Sequence, residues 1–393
     1  NMWFATDRGA QQYDGYSWVT YTTEDGLAHN RVSALTQTWD GAMWFATRGG
    51  ISRFDPSAGS GQAAWTTYTT DEGLPGNINW PRSLLQVSSG ALWAGFVSDS
   101  QEGTTADQGG ICRFDGKAWE TVEVPGGLPG GAWRIYETSD GSLWFVVLEC
   151  VLRFDGRHWT RYTNEDGLAG PVFKVLEARD GSLWFACHEA GISRFDGKQW
   201  KTYTVQDGLP GDTEFHSLWQ MSDGTIWAAG GPGALCRFEN DRWRVYTSEE
   251  IPQLSGEIAG LPAKNGAMWF ADSVTDRVFR LDYAGKKWRS FVFEESLSGG
   301  VPTPDGSVWF GAPGGAVRYN GSHWLRYTSE DGLLDAPIYG VGQTGDGSLW
   351  FGAGEREKFE GLSRYRNGVW TRYTKDEIGL DSVPWVHRVL QAA

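Results

Sequence analysis

Residues 180–211 read DGSLWFACHEAGISRFDGKQWKTYTVQDGLPG. The stretch holds two tryptophans, three Asp-Gly or Gln-Asp-Gly turns and a Cys-His-Glu run, and it has the look of a reactive loop. Near-copies of it recur along the whole chain, so the first question is whether it is a site or a building unit. Anchoring on the tryptophan of each LWFA-like segment gives Trp3, Trp44, Trp93, Trp144, Trp184, Trp227, Trp269, Trp309 and Trp350. The intervals are 41, 49, 51, 40, 43, 42, 40 and 41 residues. A second column follows at Trp18, Trp65, Trp119, Trp159, Trp200, Trp243, Trp288, Trp324 and Trp370. Eighteen of the 23 tryptophans therefore mark a repeat, and fixed-period repetition is read before any motif.

Each unit carries four short strand-type segments. In the second unit they are NRVSALTQT, MWFAT, ISRFD and WTTYT, separated by WDGA and by Gly-rich turns. Asp-Gly between apolar runs is a hairpin signal, because Gly adopts the positive φ that tight turns need. No stretch shows a capped helical period. Four antiparallel strands in about 40–45 residues, repeated radially, is the pattern of a β-propeller. The fold expected is all-β: a single domain over residues 1–393, with nine four-stranded blades. Its ends complement each other. The chain opens on a second strand (MWFAT), whereas VPWVHRVLQ near the C-terminus matches an inner strand. The C-terminal strand is expected to complete the N-terminal blade and leave no open edge.

Composition narrows the function. Lys plus Arg is 34 and Asp plus Glu is 49, giving −15. Such a chain repels phosphate backbones, so nucleic acid is excluded as a general partner. No apolar run is long enough for a membrane span. The first residues fall in the middle of a repeat, so a longer natural chain is expected. Cys112, Cys150, Cys187 and Cys236 show no CxxC spacing and are read as free, buried thiols.

The quoted unit resembles the two-component regulator propeller repeat, whose pattern runs DGxLWFGT…GLxRYDGxxFxxYTxxDGLPxNxV. All nine units match it, most fully around Trp44, Trp184 and Trp309. The resemblance implies a ligand-sensing propeller, the sensor part of a bacterial signalling system, working outside the cytoplasm. No kinase, receiver or helix-turn-helix segment accompanies it. Streptogramin lyases are also propellers with aromatic-rich blades, and they use a His with a metal near the channel mouth; an enzyme of that kind, with His216 or His387 in that role though nothing in the sequence singles out either, is the alternative. A protein-interaction scaffold is the third reading.

Departures from the repeat carry the individuality. Inner strands share a Gln/Glu column at Gln37, Gln86, Glu137, Glu177, Gln220, Gln343 and Gln391, replaced by Pro262 and Pro302 in blades 7 and 8. Those two blades are expected to have short, weak inner strands and to distort the ring around residues 255–305. Five tryptophans stand outside the columns: Trp39, Trp80, Trp133, Trp219 and Trp385. Trp80, Trp133 and Trp385 begin inner strands, beside Arg82, Arg134, Lys174, His216, Tyr339 and His387. These nine residues are the candidate ligand contacts, an aromatic and basic rim suited to a glycan or a small acidic molecule. Enlarged connectors at residues 97–110 and 352–361 are expected on the same face, and the loop at 55–64 on the other. The six histidines show no HExxH spacing, so neither metal nor cofactor is expected. Cys187 and His188 are adjacent in an extended segment and are expected to face apart, not to act as a nucleophile–base pair. A monomer without membrane insertion is expected.

Overall fold

The computed structural model describes residues 1–58, 64–75, 80–97, 109–128, 130–188, 191–211, 213–231, 233–247, 250–251, 258–263, 267–272, 277–282, 287–293, 295–355, 358–379 and 388–391. They form nine four-stranded antiparallel sheets, the blades of a nine-bladed β-propeller. Beyond short 3-10 turns, the described helix is a single turn, Lys375–Ile378. By packing, the chain falls into two compact units: Asn1–Thr163 with Glu377–Ala393, and Asn164–Asp376. The first unit holds blades 1 to 4 and the second blades 5 to 9. Blade 1 draws its inner strand, Arg388–Gln391, from the C-terminus; it pairs antiparallel with Met2–Thr6 through Met2–Gln391, Trp3–Leu390, Phe4–Val389 and Ala5–Arg388.

Blade 5 shows why the quoted stretch is a building unit. Its strands are Val172–Glu177, Leu183–Cys187, Gly191–Phe195 and Trp200–Tyr203. Between the first two, Gly181 takes φ 79°, and Asp180 accepts from the Ser182 backbone N–H at 3.0 Å. Gly191 at φ 109° is required twice over, since a Cβ there would lie 2.2 Å from the Tyr203 carbonyl oxygen. Asp196 closes the next turn by accepting the Lys198 and Gln199 N–H groups. Thr204 then caps a 3-10 turn, Val205–Asp207, in a reciprocal box with Asp207, and Leu209 is buried behind it. The same box recurs at Thr69 with Glu72 and at Thr328 with Asp331. These acidic groups are occupied in capping, which explains the repeated TxxDGL without a cation.

The tryptophan columns are wedges between blades. Trp184 stacks on Tyr203 of its own blade at 5.7 Å and 12°, and meets Trp243 of blade 6 edge-on at 5.9 Å and 87°. Trp44, Trp227 and Trp309 repeat the arrangement with Tyr68 and Trp119, Tyr246 and Trp288, and Tyr327 and Trp370. Offset and edge-to-face pairs of this kind suit the ring quadrupole. Above the tryptophan lies an arginine from the third strand: Arg194 over Trp184 at 5.3 Å, Arg318 over Trp309 at 5.2 Å, Arg364 over Trp350 at 5.5 Å. Each arginine also pairs with the aspartate of the blade's first turn, as in Arg194–Asp180, Arg318–Asp305 and Arg364–Asp346. All four cysteines are free and buried.

The Gln/Glu column is a staple between blades. Gln220 donates to the Gly224 carbonyl of its own turn and accepts from the Arg179 N–H of blade 5, at 3.1 and 2.8 Å. Gln86 does the same with Gly90 and Trp39, and Glu137 accepts from Ser88. Blades 7 and 8 lack that side chain, and their inner strands, Ile258–Pro262 and Ser298–Pro302, are five residues each. Their small residues make room for neighbours. A Cβ on Gly260 would lie 2.5 Å from the Trp219 ring, and one on Gly300 2.1 Å from Leu261.

Two carboxyls give a pH dependence. Partial burial would raise the Asp305 pKa, but hydrogen bonds from Thr303 and Ser307, with Arg318, hold it down at about 2 from an ordinary 3.8. Thr344, Ser348 and Arg366 do the same for Asp346, also about 2. Both folded-state values are depressed, so the stabilisation is present above about pH 4 and is lost as pH falls toward about 2. We expect the melting temperature to drop through that window, and the D305N/D346N double variant to flatten the drop. Because both side chains are partly exposed, the slope should be a fraction of the full linkage value.

Candidate functional site

Seven inner strands carry the same irregularity. Pairing with the second strand skips one residue between Val32 and Ala34, Pro81 and Ser83, Ala132 and Arg134, Val172 and Lys174, Phe215 and Ser217, and Ile338 and Gly340, and between Ser298 and Val301 sets two residues against one. Blade 7 pairs without a skip; in blade 1 the equivalent position lies outside the described residues. A β-bulge re-aims its extra residue, and bulges recur beside binding sites. Here the bulged residues are Ser33, Arg82 and Trp133 in the first unit, and Phe173, His216 and Tyr339 in the second; in blade 8 glycines occupy the skip. Each bulge lies at the start of its inner strand, opposite the end of the second strand and therefore beside the connector that follows it. Three large rings on bulges stay open to solvent: Trp133 at 40%, Phe173 at 39% and Tyr339 at 47% exposure.

The candidate residues fall into place on this frame. In the first unit Arg82 and Trp133 meet: the guanidinium lies over the indole, 5.3 Å from its centroid. Arg134, next in sequence, is exposed and pairs with Val146. Trp80 opens the inner strand of blade 3, Trp80–Gln86, opposite Val97. In the second unit Tyr339 is a bulge residue, its ring against Gly352. Lys174 is half-buried, one position beyond the bulge at Phe173. Trp385 and His387 lie outside the described residues. The connector at 352–361 is not an open loop. Leu349–Glu355 and Lys358–Arg366 prolong their pairing out to Glu355–Lys358, so the extra residues build a longer hairpin. Most of the segment 97–110, and of the loop 55–64, lies outside the described residues.

A second constellation in the second unit includes residues that sequence reasoning passed over. Glu214, the first residue of the inner strand Glu214–Gln220 of blade 6, has its Oε1 2.9 Å from His188 Nε2 and its Oε2 3.6 Å from His216 Nε2. His188 follows the second strand of blade 5, and its N–H donates to the Pro171 carbonyl at 2.8 Å, which ties the connector back to the inner strand. The Phe173 ring packs against both imidazoles, 5.3 Å from His188 and 4.8 Å from His216. Cys187 faces inward, away from His188. Its thiol is fully buried and donates toward the Phe185 carbonyl, and burial pushes its pKa up to about 12. A thiol so placed supplies no thiolate nucleophile. Among the described residues no group of three His, Cys, Asp or Glu is arranged to hold a metal ion, and no helix is long and apolar enough to cross a membrane.

No family model and no curated protein matches the chain. Solved structures resemble it in fold. The extracellular domain named for the hybrid two component system BT3049 of B. thetaiotaomicron is 19% identical, with TM-score 0.41, over 96% of this chain. This chain spans 57% of that one. Virginiamycin B lyase from Staphylococcus aureus is 19% identical, with TM-score 0.44, over 61% of this chain and 83% of its own. PorZ of Porphyromonas gingivalis is 13% identical, with TM-score 0.42, over 93% of this chain and 66% of its own. At such identities and scores the likeness says nothing of activity or ligand.

Proposed function

We propose that this chain is a non-catalytic ligand-binding propeller, the extracytoplasmic sensor part of a bacterial signalling system, of the two-component regulator propeller kind. Its ligand in the first unit is a small acidic molecule such as a sugar acid. The observation that supports this reading is the Arg82–Trp133 pair raised on two neighbouring bulges. A cation laid over one side of an indole that stays 40% exposed leaves apolar ring surface beside positive charge. Arg134 adds a second exposed cation in a chain whose net charge is −15. Arginine forks match carboxylate geometry, and the ring supplies a stacking surface. Trp80 contributes from the same strand as Arg82.

Calorimetric titration with D-glucuronate and with succinate tests it. We expect saturable binding that weakens at high salt, and W133A should reduce it by roughly 1–3 kcal/mol. Binding of both probes unchanged by W133A and R82A, or no binding of either, would overturn the reading.

A further inference from the structure

We propose that Phe173, His188, Glu214 and His216 form a second site, in the other unit, for a neutral carbohydrate with vicinal hydroxyls. Four observations converge on it. Phe173 is an apolar ring held 39% exposed by a bulge, where ordinary packing would bury it. His216 is the bulge residue of the next blade, so two bulges point side chains at one place. Glu214 lies between the imidazoles, one carboxylate oxygen toward each, 2.9 Å from His188 Nε2 and 3.6 Å from His216 Nε2. All three polar side chains remain about a third exposed, at 34%, 40% and 32%, so none is sealed inside the protein.

The chemistry of the set selects the ligand. A carboxylate accepts two O–H donors, and neighbouring imidazole nitrogens can donate to or accept from the same hydroxyls. The phenyl ring offers a surface for the C–H face of a pyranose. The 3.6 Å gap between Glu214 and His216 is too long for a direct hydrogen bond and leaves their polar atoms available to a ligand hydroxyl. An anionic ligand would meet the Glu214 charge. No metal is part of the proposal, since among the described residues no group of three His, Cys, Asp or Glu is arranged to hold one. Such a site needs few convergent polar groups around an aromatic surface. It does not rest on the Trp133 site, whose residues lie in the other unit and are basic where these are mixed.

The test is NMR of the full chain with 13C-labelled histidine and phenylalanine. The probes are methyl β-D-glucopyranoside, methyl β-D-galactopyranoside and methyl α-D-mannopyranoside. At least one glycoside should shift the His188, His216 and Phe173 ring signals saturably. F173A and E214Q should each weaken that binding roughly tenfold or more, while W133A leaves it unchanged. E214Q keeps the side-chain shape, so the outcome does not depend on whether F173A folds. Ring signals unmoved by all three glycosides would overturn the proposal, as would glycoside binding that survives both E214Q and F173A. D-glucuronate serves as the separating probe: its loss in W133A with the glycosides unaffected shows that the two readings stand or fall separately. Glucuronate binding at Phe173 and His216 in preference to the neutral glycosides would also overturn the assignment.

Discussion

Truncation before Arg388 is expected to destabilise the whole first unit and not just its tail. The strand Arg388–Gln391 is the inner strand of blade 1 and forms four residue pairs with Met2–Ala5. Without it the strand Met2–Thr6 becomes an edge, with backbone groups unpaired beside the buried Trp3 and Phe4. At about 1 kcal/mol for each net hydrogen bond, loss of these pairs alone costs on the order of 4 kcal/mol. The two ends are far apart in sequence, so cutting the strand also gives up a closure that the rest of the chain does not replace. Gln11, buried in blade 1, donates to the Ile378 carbonyl at 2.9 Å, which anchors the segment leading to that strand. The check is a thermal melt with hydrogen exchange. The truncated chain should melt well below the full one, and the amides of Met2–Ala5 should lose protection. Identical melting of the two chains would show that closure contributes nothing.

Replacing Trp227 with Ala is expected to cost about 3–5 kcal/mol, the range for truncating a buried aromatic. Trp227 has no exposed surface. Its ring stacks on Tyr246 at 5.2 Å and 9°, carries Arg237 at 5.9 Å, and faces Phe270 and Trp288 of blade 7. Removal therefore leaves a cavity between two blades and strips the arginine of its aromatic support. Trp39 is the control. It sits in the first turn of blade 2, is 70% exposed, and its backbone N–H, not its ring, makes the inter-blade bond to Gln86. W39A should change stability by about 0.5 kcal/mol or less. Urea denaturation of the two variants separates the roles; equal effects would contradict the wedge function of the tryptophan column.

The two tryptophans also show what was legible in the sequence. Trp227 belongs to a column with a fixed period, and a fixed period of strand-type segments with Asp-Gly turns leaves few architectures open. Blade number, the order of strands within a blade and the completion of blade 1 by the C-terminus all follow from that local, repeated chemistry, because hairpin pairing depends on neighbours in sequence. The inward burial of Cys187 was legible for the same reason: alternation along a strand is a local rule. The Gln/Glu column was visible as a pattern, but its purpose, holding one blade's turn to the next, appeared only when the blades were brought together.

The bulges were not legible. No glycine or proline marks the skip at Trp133, Phe173 or His216, and a bulge is set by how an inner strand must fit its partner and its neighbouring blade. That is why Lys174 was singled out and Phe173, one residue earlier, was missed. Arg82 and Trp133 are separated by 50 positions of intervening chain, and His188, Glu214 and Phe173 stand on three different segments. Repetition determined the scaffold. The grouping of unlike side chains on equivalent bulges was decided by packing between blades, where distance along the chain carries no information.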